Sequence, residues 1–282
     1  MKKHIKIISL LSLVVLAFSC TDVIDVDVQS APTRLTVEAS LDWEKGTLGN
    51  EQTIRLRTST AFFDTTSNTE VTGASVKVTN DSNGTEFIFE DQNDGTYTTN
   101  AFEPIVGQSY SLEIIYNGET YSAQETLNAV PDLTVLGQSR DDGFSEDDLE
   151  VNMVFKDPEE EGNSYFFKFQ KQDELLPVFE EFDDEFVNGN EIDWYYESEE
   201  DDDTEETEAF EPGDVLHIEF YAISQAYRSY LQILVNQIGG MGMFDATPVA
   251  VKGNCVNLSN PENYAHGYFR VTQVVKADYT FE

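Results

Sequence analysis

The sequence predicts a mainly β protein, in which an N-terminal Ig-like or transthyretin-like β-sandwich is followed by a second β-rich domain that carries one α-helix. Three observations predict this fold: apolar and polar residues alternate over many short segments, turn dipeptides separate these segments, and helical spacing is clear in one segment only. Alternation with a period of two is typical of strands that bury one face. Many short strands with turns between them favour a sandwich.

The first 19 residues predict a signal peptide. Three lysines within the first six residues precede an apolar run over residues 7–18, which ends at Ser19 and Cys20. This order of charged, apolar and small residues is typical of secretory signals. The run is too short for a membrane-spanning helix, which needs roughly 20 apolar residues. We therefore predict export.

Cys20 is the predicted lipidation site. The preceding residues, Leu16-Ala17-Phe18-Ser19, are similar to a bacterial lipobox, in which the cysteine becomes the first mature residue and is acylated. Each buried methylene contributes about 0.8 kcal/mol, so two or three acyl chains anchor a protein firmly in membrane lipid. The alternative is a cleaved, released protein with a free thiol. Residues 20–33 are predicted to be a tether between lipid and fold.

The predicted sandwich covers residues 34–130. Leu35, Val37 and Ala39 alternate with polar residues in its first strand, and Asn83-Gly84 and Asn117-Gly118 are typical hairpin turns. The further strands are predicted near residues 54–58, 74–78, 86–89, 95–98, 110–116 and 119–127.

The predicted second domain covers residues 131–282 and is far more acidic. Between Asp141 and Glu211 there are 29 acidic and three basic residues. Within it, residues 197–208 contain no apolar side chain, and the repulsion between their charges predicts a disordered insertion at about 197–211.

One helix is predicted at about 224–238. Ser224 is a good N-cap, Tyr227, Leu231 and Leu234 recur at helical spacing, and two glycines follow. The chain is predicted to close with a pair of strands, 267–275 and 277–281.

Charge limits the classes of partner. The chain has 54 acidic and 16 basic residues and a formal net charge of -38. Nucleic acid and anionic lipid head groups are therefore poor partners. Cations, basic peptides and basic protein surfaces are better ones, although high charge also serves solubility alone.

No catalytic motif is present. The sequence lacks a G-x-S-x-G elbow, a P-loop and a dinucleotide glycine fingerprint. We therefore predict a binding protein rather than an enzyme. We predict no cofactor, and calcium is the open alternative. Carboxylate oxygens suit calcium, and the candidate ligands are Asp157, Glu159 and Glu161 in a turn segment and Asp201, Asp202 and Asp203 in the insertion. Solvated loops are the alternative interpretation of both.

Three consecutive aromatic residues are a candidate binding platform. Trp194, Tyr195 and Tyr196 present rings that suit a sugar or a peptide. In a β-rich chain such residues more often belong to the core.

Several short segments of the sequence resemble those of a Bacteroidetes outer-membrane lipoprotein family, family 4249 of the domains of unknown function. The resemblance covers nearly the whole chain. The segments are Cys20 with Val23-Ile24-Asp25-Val26-Asp27, Arg34-Leu35-Thr36-Val37, Val71-Thr72-Gly73-Ala74, Asp94-Gly95-Thr96-Tyr97, Phe155-Lys156-Asp157-Pro158, Ser224-Gln225-Ala226-Tyr227, Val251-Lys252-Gly253-Asn254-Cys255 and Gly267-Tyr268-Phe269.

This resemblance implies a lipid-anchored outer-membrane protein, displayed on the cell surface or facing the periplasm, that assists a TonB-dependent transporter. It implies no known functional residues. In this lineage Asp64-Thr65-Thr66 is also similar to an O-glycosylation site, which makes Thr65 a candidate. A calcium-dependent adhesion or carbohydrate-binding surface module is the alternative function.

Overall fold

The computed structural model describes residues 31–141, 143, 148–198, 209–238 and 251–282, apart from the side chains of residues 236 and 238. The predicted signal peptide, Cys20 and Asp201 to Asp203 lie outside the described residues. The described residues form fifteen strands and one helix, which confirms the prediction of a mainly β chain with one helix. In the part of the chain that the structure describes, no helix is long and apolar enough to cross a membrane.

The elements follow one another in this order: β1 Leu35–Glu44, β2 Gln52–Thr58, β3 Ser75–Asn80, β4 Glu86–Asp91, β5 Thr96–Thr99, β6 Ser109–Tyr116, β7 Glu119–Thr126, β8 Leu133–Ser139, β9 Glu150–Lys156, β10 Ser164–Lys171, β11 Val178–Asp183, β12 Glu191–Glu197, β13 Val215–Ile223, α1 Gln225–Ile238, β14 Val256–Asn257 and β15 His266–Thr280. Residues Thr33–Thr60 and Thr66–Glu282 form one compact unit. Thr65 is exposed.

The first sandwich packs two sheet layers on an aliphatic core. β1, β2 and β5 form one layer, and β3, β6, β7 and β14 form the other. β4 pairs with both β3 and β5 and so links the layers. The alternation that predicts β1 has the expected result, since Leu35, Val37, Ala39 and Leu41 are all buried in this core.

The second sandwich packs β10 and β13 against the three-stranded sheet of β8, β9 and β12. Its core is aromatic: Phe155 and Phe220 rings lie 4.7 Å apart, and Phe167 stacks on Phe220 at 4.5 Å. β10 is apolar on both faces because α1 covers its other side, where Phe166, Tyr221 and Leu231 pack together.

β15 serves both sandwiches. It pairs in parallel with β1 from His266 to Val274, and its last residues pair antiparallel with β13. Phe269 lies in the first core and Phe281, just beyond the strand, in the second. The predicted break between two closing strands at Lys276 was wrong. Lys276 has no turn geometry; it stays in the ladder opposite Glu219.

The predicted division into domains at residue 130 stays a prediction. Buried residues up to Leu127 belong to the first core, and the second core begins at Val130. The first core also includes the later residues Cys255, Phe269 and Val271. Glu197 is the last residue of β12 and Phe210 packs in the second core, so these ends of the predicted insertion belong to the fold. Residues 199–208 lie outside the described residues.

Two glycines allow the segment before β14 to lie against β15. A Cβ on Gly253 would meet the Gly267 carbonyl oxygen at 1.3 Å, and Gly267 itself has a φ of +88°. The Asn254 side chain then bonds the Phe269 backbone in both directions, at 2.8 Å each. Cys255 beside it is buried, and burial raises the pKa of its thiol to about 12, so this cysteine is unreactive at neutral pH.

Candidate binding site

A polar pocket lies where the two sandwiches and the helix meet. The end of β7, the start of β10 and the turn from β13 into α1 line it, and its volume is about 330 Å³. We call it the junction pocket; its lining residues are Glu125, Thr126, Asn128, Gly162, Asn163, Ser164, Ala222, Ile223, Ser224 and Gln225. Its volume is at the lower end of the range for small-ligand sites, about 300–1,000 Å³.

Ser224 begins the helix at the edge of this pocket. As the sequence predicts, its Oγ accepts a hydrogen bond from the Tyr227 backbone N–H at 3.1 Å and so caps α1. The same hydroxyl donates to Glu125 Oε2 at 2.9 Å. One serine therefore fixes both the helix start and the carboxyl group that faces it.

Glu125 is the titratable group of the pocket. It is only 9% exposed, and the Tyr268 hydroxyl also donates to its Oε2, at 3.3 Å. Burial raises the pKa of the Glu125 carboxyl, although the hydrogen bonds from Ser224 and Tyr268 act in the opposite direction. No lysine or arginine is among the residues that line the junction pocket.

Ser164 contributes a hydroxyl with unused hydrogen-bonding capacity. The residue is 1% exposed, and its Oγ has no hydrogen-bond partner in the described part of the chain. Buried polar groups are normally paired, because leaving one unpaired costs about 1–3 kcal/mol. An unpaired hydroxyl in the wall of a pocket suggests that its partner comes from outside the chain.

A second pocket adjoins the first and is acidic. Gly162 and Gln225 line both pockets, and the second has a volume of about 540 Å³. We call it the acidic pocket; its other lining residues are Glu161, Asp183, Asp184, Glu185 and Asn188.

The acidic pocket is built around Asp184. This buried carboxylate accepts hydrogen bonds from the Gly162 N–H at 2.9 Å and the Asn163 N–H at 3.0 Å, and so holds the loop before β10. Asp183 is paired with Arg228. Asn188 Oδ1 is buried and, among the residues the structure describes, has no partner.

A different buried polar cluster lies close by in the fold and is closed. Arg270 Nη2 donates to both oxygens of Asp42, at 2.7 and 2.8 Å, and its guanidinium lies over the rings of Tyr221 and Tyr227. Burial acts to lower the pKa of Arg270, but the Asp42 carboxylate and the tyrosines leave it raised. Its Nε is buried without a partner among the described atoms.

The predicted calcium ligands of the turn segment, Asp157, Glu159 and Glu161, differ in burial. Asp157 is 1% exposed, and its oxygens accept hydrogen bonds from the Tyr165 hydroxyl and from the Gly189 N–H, the latter at 2.8 Å. Glu159 and Glu161 are exposed, and Glu161 lines the acidic pocket. Within the described ranges, no group of three or more His, Cys, Asp or Glu residues is placed to hold a metal ion. Calcium binding stays a prediction.

The predicted aromatic platform is not brought together on one face. Trp194 stacks on Phe182 at 4.1 Å, and Tyr196 stacks on Phe169 at 4.0 Å, both against the second core. The Trp194 indole N–H donates to Glu180 at 2.7 Å. Tyr195 lies between them in an alternating strand and faces the other side.

Sequence reasoning missed Glu125 and Ser164 as site residues, although one signal was present. Tyr121 and Ala123 are buried in β7, so Glu125 continues the inward-facing series of that strand. A carboxylate at a core-facing position is unusual and indicates a buried polar network. Ser164 gives no comparable signal, because it is a small polar residue directly before the apolar run Tyr165-Phe166-Phe167.

Comparison with known proteins adds a family but no activity. The model of a family described as "Domain of unknown function (DUF4249)" matches residues 21–278. No curated protein matches the chain. A cytokine receptor complex is 8% identical, covers 68% of this chain and 86% of its own, and has a TM-score of 0.26.

Two further solved structures are similarly distant. A two-domain fibronectin type-III segment from chicken tenascin is 11% identical, with 62% of this chain and 86% of that chain covered and a TM-score of 0.22. A DUF4785 family protein from Legionella pneumophila is 10% identical, with 69% and 53% covered and a TM-score of 0.25. These likenesses carry no argument about function.

Proposed function

We propose, from the premise that this chain belongs to the DUF4249 family of unknown function, that it is a lipid-anchored outer-membrane protein that binds a partner and catalyses no reaction. In this proposal the partner is a TonB-dependent transporter or the cargo of that transporter. The folded body holds the binding site, and the acyl chains on Cys20 keep it at the membrane.

The pair of linked pockets carries the binding role. Both are lined by polar side chains, and two of these have buried oxygens without a partner in the described chain, Ser164 Oγ and Asn188 Oδ1. Such atoms favour a site that is completed by another molecule.

The anchoring part rests on the sequence around Cys20. An apolar run and a small residue directly precede that cysteine, and acylation there supplies affinity for membrane lipid that the strongly negative fold does not.

Mass spectrometry of the protein purified from its native membrane tests the anchoring. We expect the chain to begin at Cys20 with attached acyl chains, and a Cys20→Ala variant to be lost from the membrane fraction. An unmodified thiol on a freely soluble chain would contradict the anchoring.

Affinity purification from cross-linked cells tests the partner. We expect an outer-membrane TonB-dependent transporter to be recovered with the acylated chain and to be depleted with the Cys20→Ala variant. Recovery of the intact lipoprotein without any such transporter would contradict the accessory role while leaving the anchoring in place.

A further inference from the structure

We infer that the junction pocket and the acidic pocket together bind an arginine side chain presented by a partner protein. This inference rests on the proposed function, because it names the chemical group that the bound partner contributes. It starts from Ser164, whose buried hydroxyl lines the junction pocket without a partner among the described residues.

The unused atoms of the site are mostly acceptors. Asn188 Oδ1 accepts only, and the carboxylates of Glu161 and Glu185 are exposed and line the same pocket. A ligand that completes this site must therefore donate several hydrogen bonds. A guanidinium carries five N–H donors in a planar fork and accepts none, whereas an ammonium carries three.

Charge points to the same ligand. No lysine or arginine is among the described residues that line either pocket. Three cations near these residues are already engaged, because Arg228 pairs with Glu181 and Asp183, Lys156 donates to the Gly189 carbonyl, and Arg270 donates to Asp42. Anionic ligands are disfavoured by the carboxylates. A sugar fits less well, because no aromatic ring is among those lining residues.

Hydrogen bonds within the chain hold the loop before β10 and the start of α1 in place at the two pockets. Asp184 fixes the loop at Gly162 and Asn163, and Ser224 fixes Glu125 at the start of α1. A side chain that enters between these elements meets preformed acceptors, which limits the entropy lost on binding.

Titration calorimetry on the full acylated chain in detergent tests the inference. The probe is N-acetyl-arginine amide, and N-acetyl-citrulline amide is the matched ligand of similar shape without charge. We expect saturable binding of the arginine probe and binding of the citrulline probe weaker by about tenfold or more, equal to about 1.4 kcal/mol. Equal affinities, or no saturable binding of the arginine probe, would overturn the inference.

Two sets of variants locate the site. Ser164→Ala and the double variant Glu161→Gln/Glu185→Gln should each weaken arginine binding by about threefold or more, while Glu51→Gln/Glu90→Gln, which removes two exposed carboxylates from a pocket of the first sandwich, should leave it unchanged. If Ser164→Ala does not fold, binding by the surface double variant decides. Unchanged binding in the double variant would overturn the inference, whereas transporter recovery from cells judges the proposed function separately.

Discussion

Two buried polar clusters lie where β15 and α1 meet the rest of the fold, and they differ in how completely the chain itself satisfies them. Around Arg270, a cation meets the carboxylate of Asp42, and two tyrosine rings cover it. Around Glu125, a buried carboxyl accepts hydrogen bonds from two hydroxyl groups and from the Thr126 N–H, and Ser164 nearby keeps a hydroxyl without a partner among the described residues. The first cluster is complete except for one nitrogen, and the second is open to a pocket.

This difference separates a structural role from a binding role. When a buried ion pair within the chain is broken from one side, the remaining charge is buried without compensation and the fold loses stability. Buried polar atoms that remain unpaired lower stability, and natural proteins keep them where something else uses them. Substitutions in the two clusters should therefore change the free energy of unfolding in opposite directions or by very different amounts.

The largest effect is expected from Asp42→Asn. The buried Arg270 guanidinium would lose its counter-charge, and breaking a buried pair from one side costs about 3–5 kcal/mol. Because Asp42 is partly exposed, we expect about 3 kcal/mol in the free energy of unfolding, measured by urea denaturation. Glu90→Gln, at an exposed carboxylate, is the control and should change little. A loss below about 1 kcal/mol for Asp42→Asn would mean that the pair is not structural.

A smaller loss is expected from Ser224→Ala. This change removes the N-cap of α1, which is typically worth about 1 kcal/mol, and also the hydrogen bond to Glu125. Ser229→Ala within the same helix is the matched control, since its exposed hydroxyl bonds the Gln225 carbonyl of that helix. Thermal unfolding should show a clear drop in melting temperature for Ser224→Ala and a smaller one for the control. Equal drops would argue against the cap.

Glu125→Gln should change how stability depends on pH. The pKa of Glu125 is raised in the folded chain, so as pH rises from the ordinary glutamate value the unfolded state loses its proton first and stability falls. The fall ends once pH exceeds the folded pKa. The glutamine variant lacks this titrating carboxyl group. The free energy of unfolding of the wild type relative to the variant should therefore decline between the ordinary glutamate pKa and the raised pKa of folded Glu125. A difference that is constant from pH 4 to pH 8, measured by urea denaturation, would contradict the raised pKa.

The smallest effect on stability is expected from Ser164→Ala. Alanine removes only the hydroxyl oxygen, which is buried without a partner in the described chain, and adds no atom to the packed site. We expect the free energy of unfolding to stay the same or to rise by up to about 1 kcal/mol. Thr272→Val is the contrasting variant, because the Thr272 hydroxyl bonds the Ala222 carbonyl in the core, and it should destabilise. A marked loss for Ser164→Ala would assign that hydroxyl a structural role.

The sequence predicts the strands of the first sandwich well because their signals are local. The alternation from Leu35 to Leu41 and the cap at Ser224 each need only neighbouring residues, and both are confirmed. The site was not predictable in the same way. Glu125, Ser164 and Ser224 come from three distant parts of the chain. The pairing of β10 with β13 places Ser164 opposite Ile223, next to Ser224, and the hydroxyls of Ser224 and Tyr268 bond Glu125 of β7 at the same place.

Two other features also depend on long-range contacts. The continuity of β15 through Lys276 follows from its pairing with both β1 and β13, which no local pattern specifies. The sequence alone does not distinguish whether Trp194 and Tyr196 belong to a binding platform or to the core. Their stacking partners in the second core, Phe182 and Phe169, lie on other strands, and ligand binding by this aromatic run stays a prediction.

Photo-crosslinking in living cells tests most directly whether the open cluster is the binding site. A benzoylphenylalanine residue would replace Gln225, which is exposed and lines both pockets, or Glu90, which lines a pocket of the first sandwich. We expect a crosslink to an outer-membrane transporter or its cargo from position 225 and none from position 90. No crosslink from position 225, or equal crosslinks from both positions, would contradict the account.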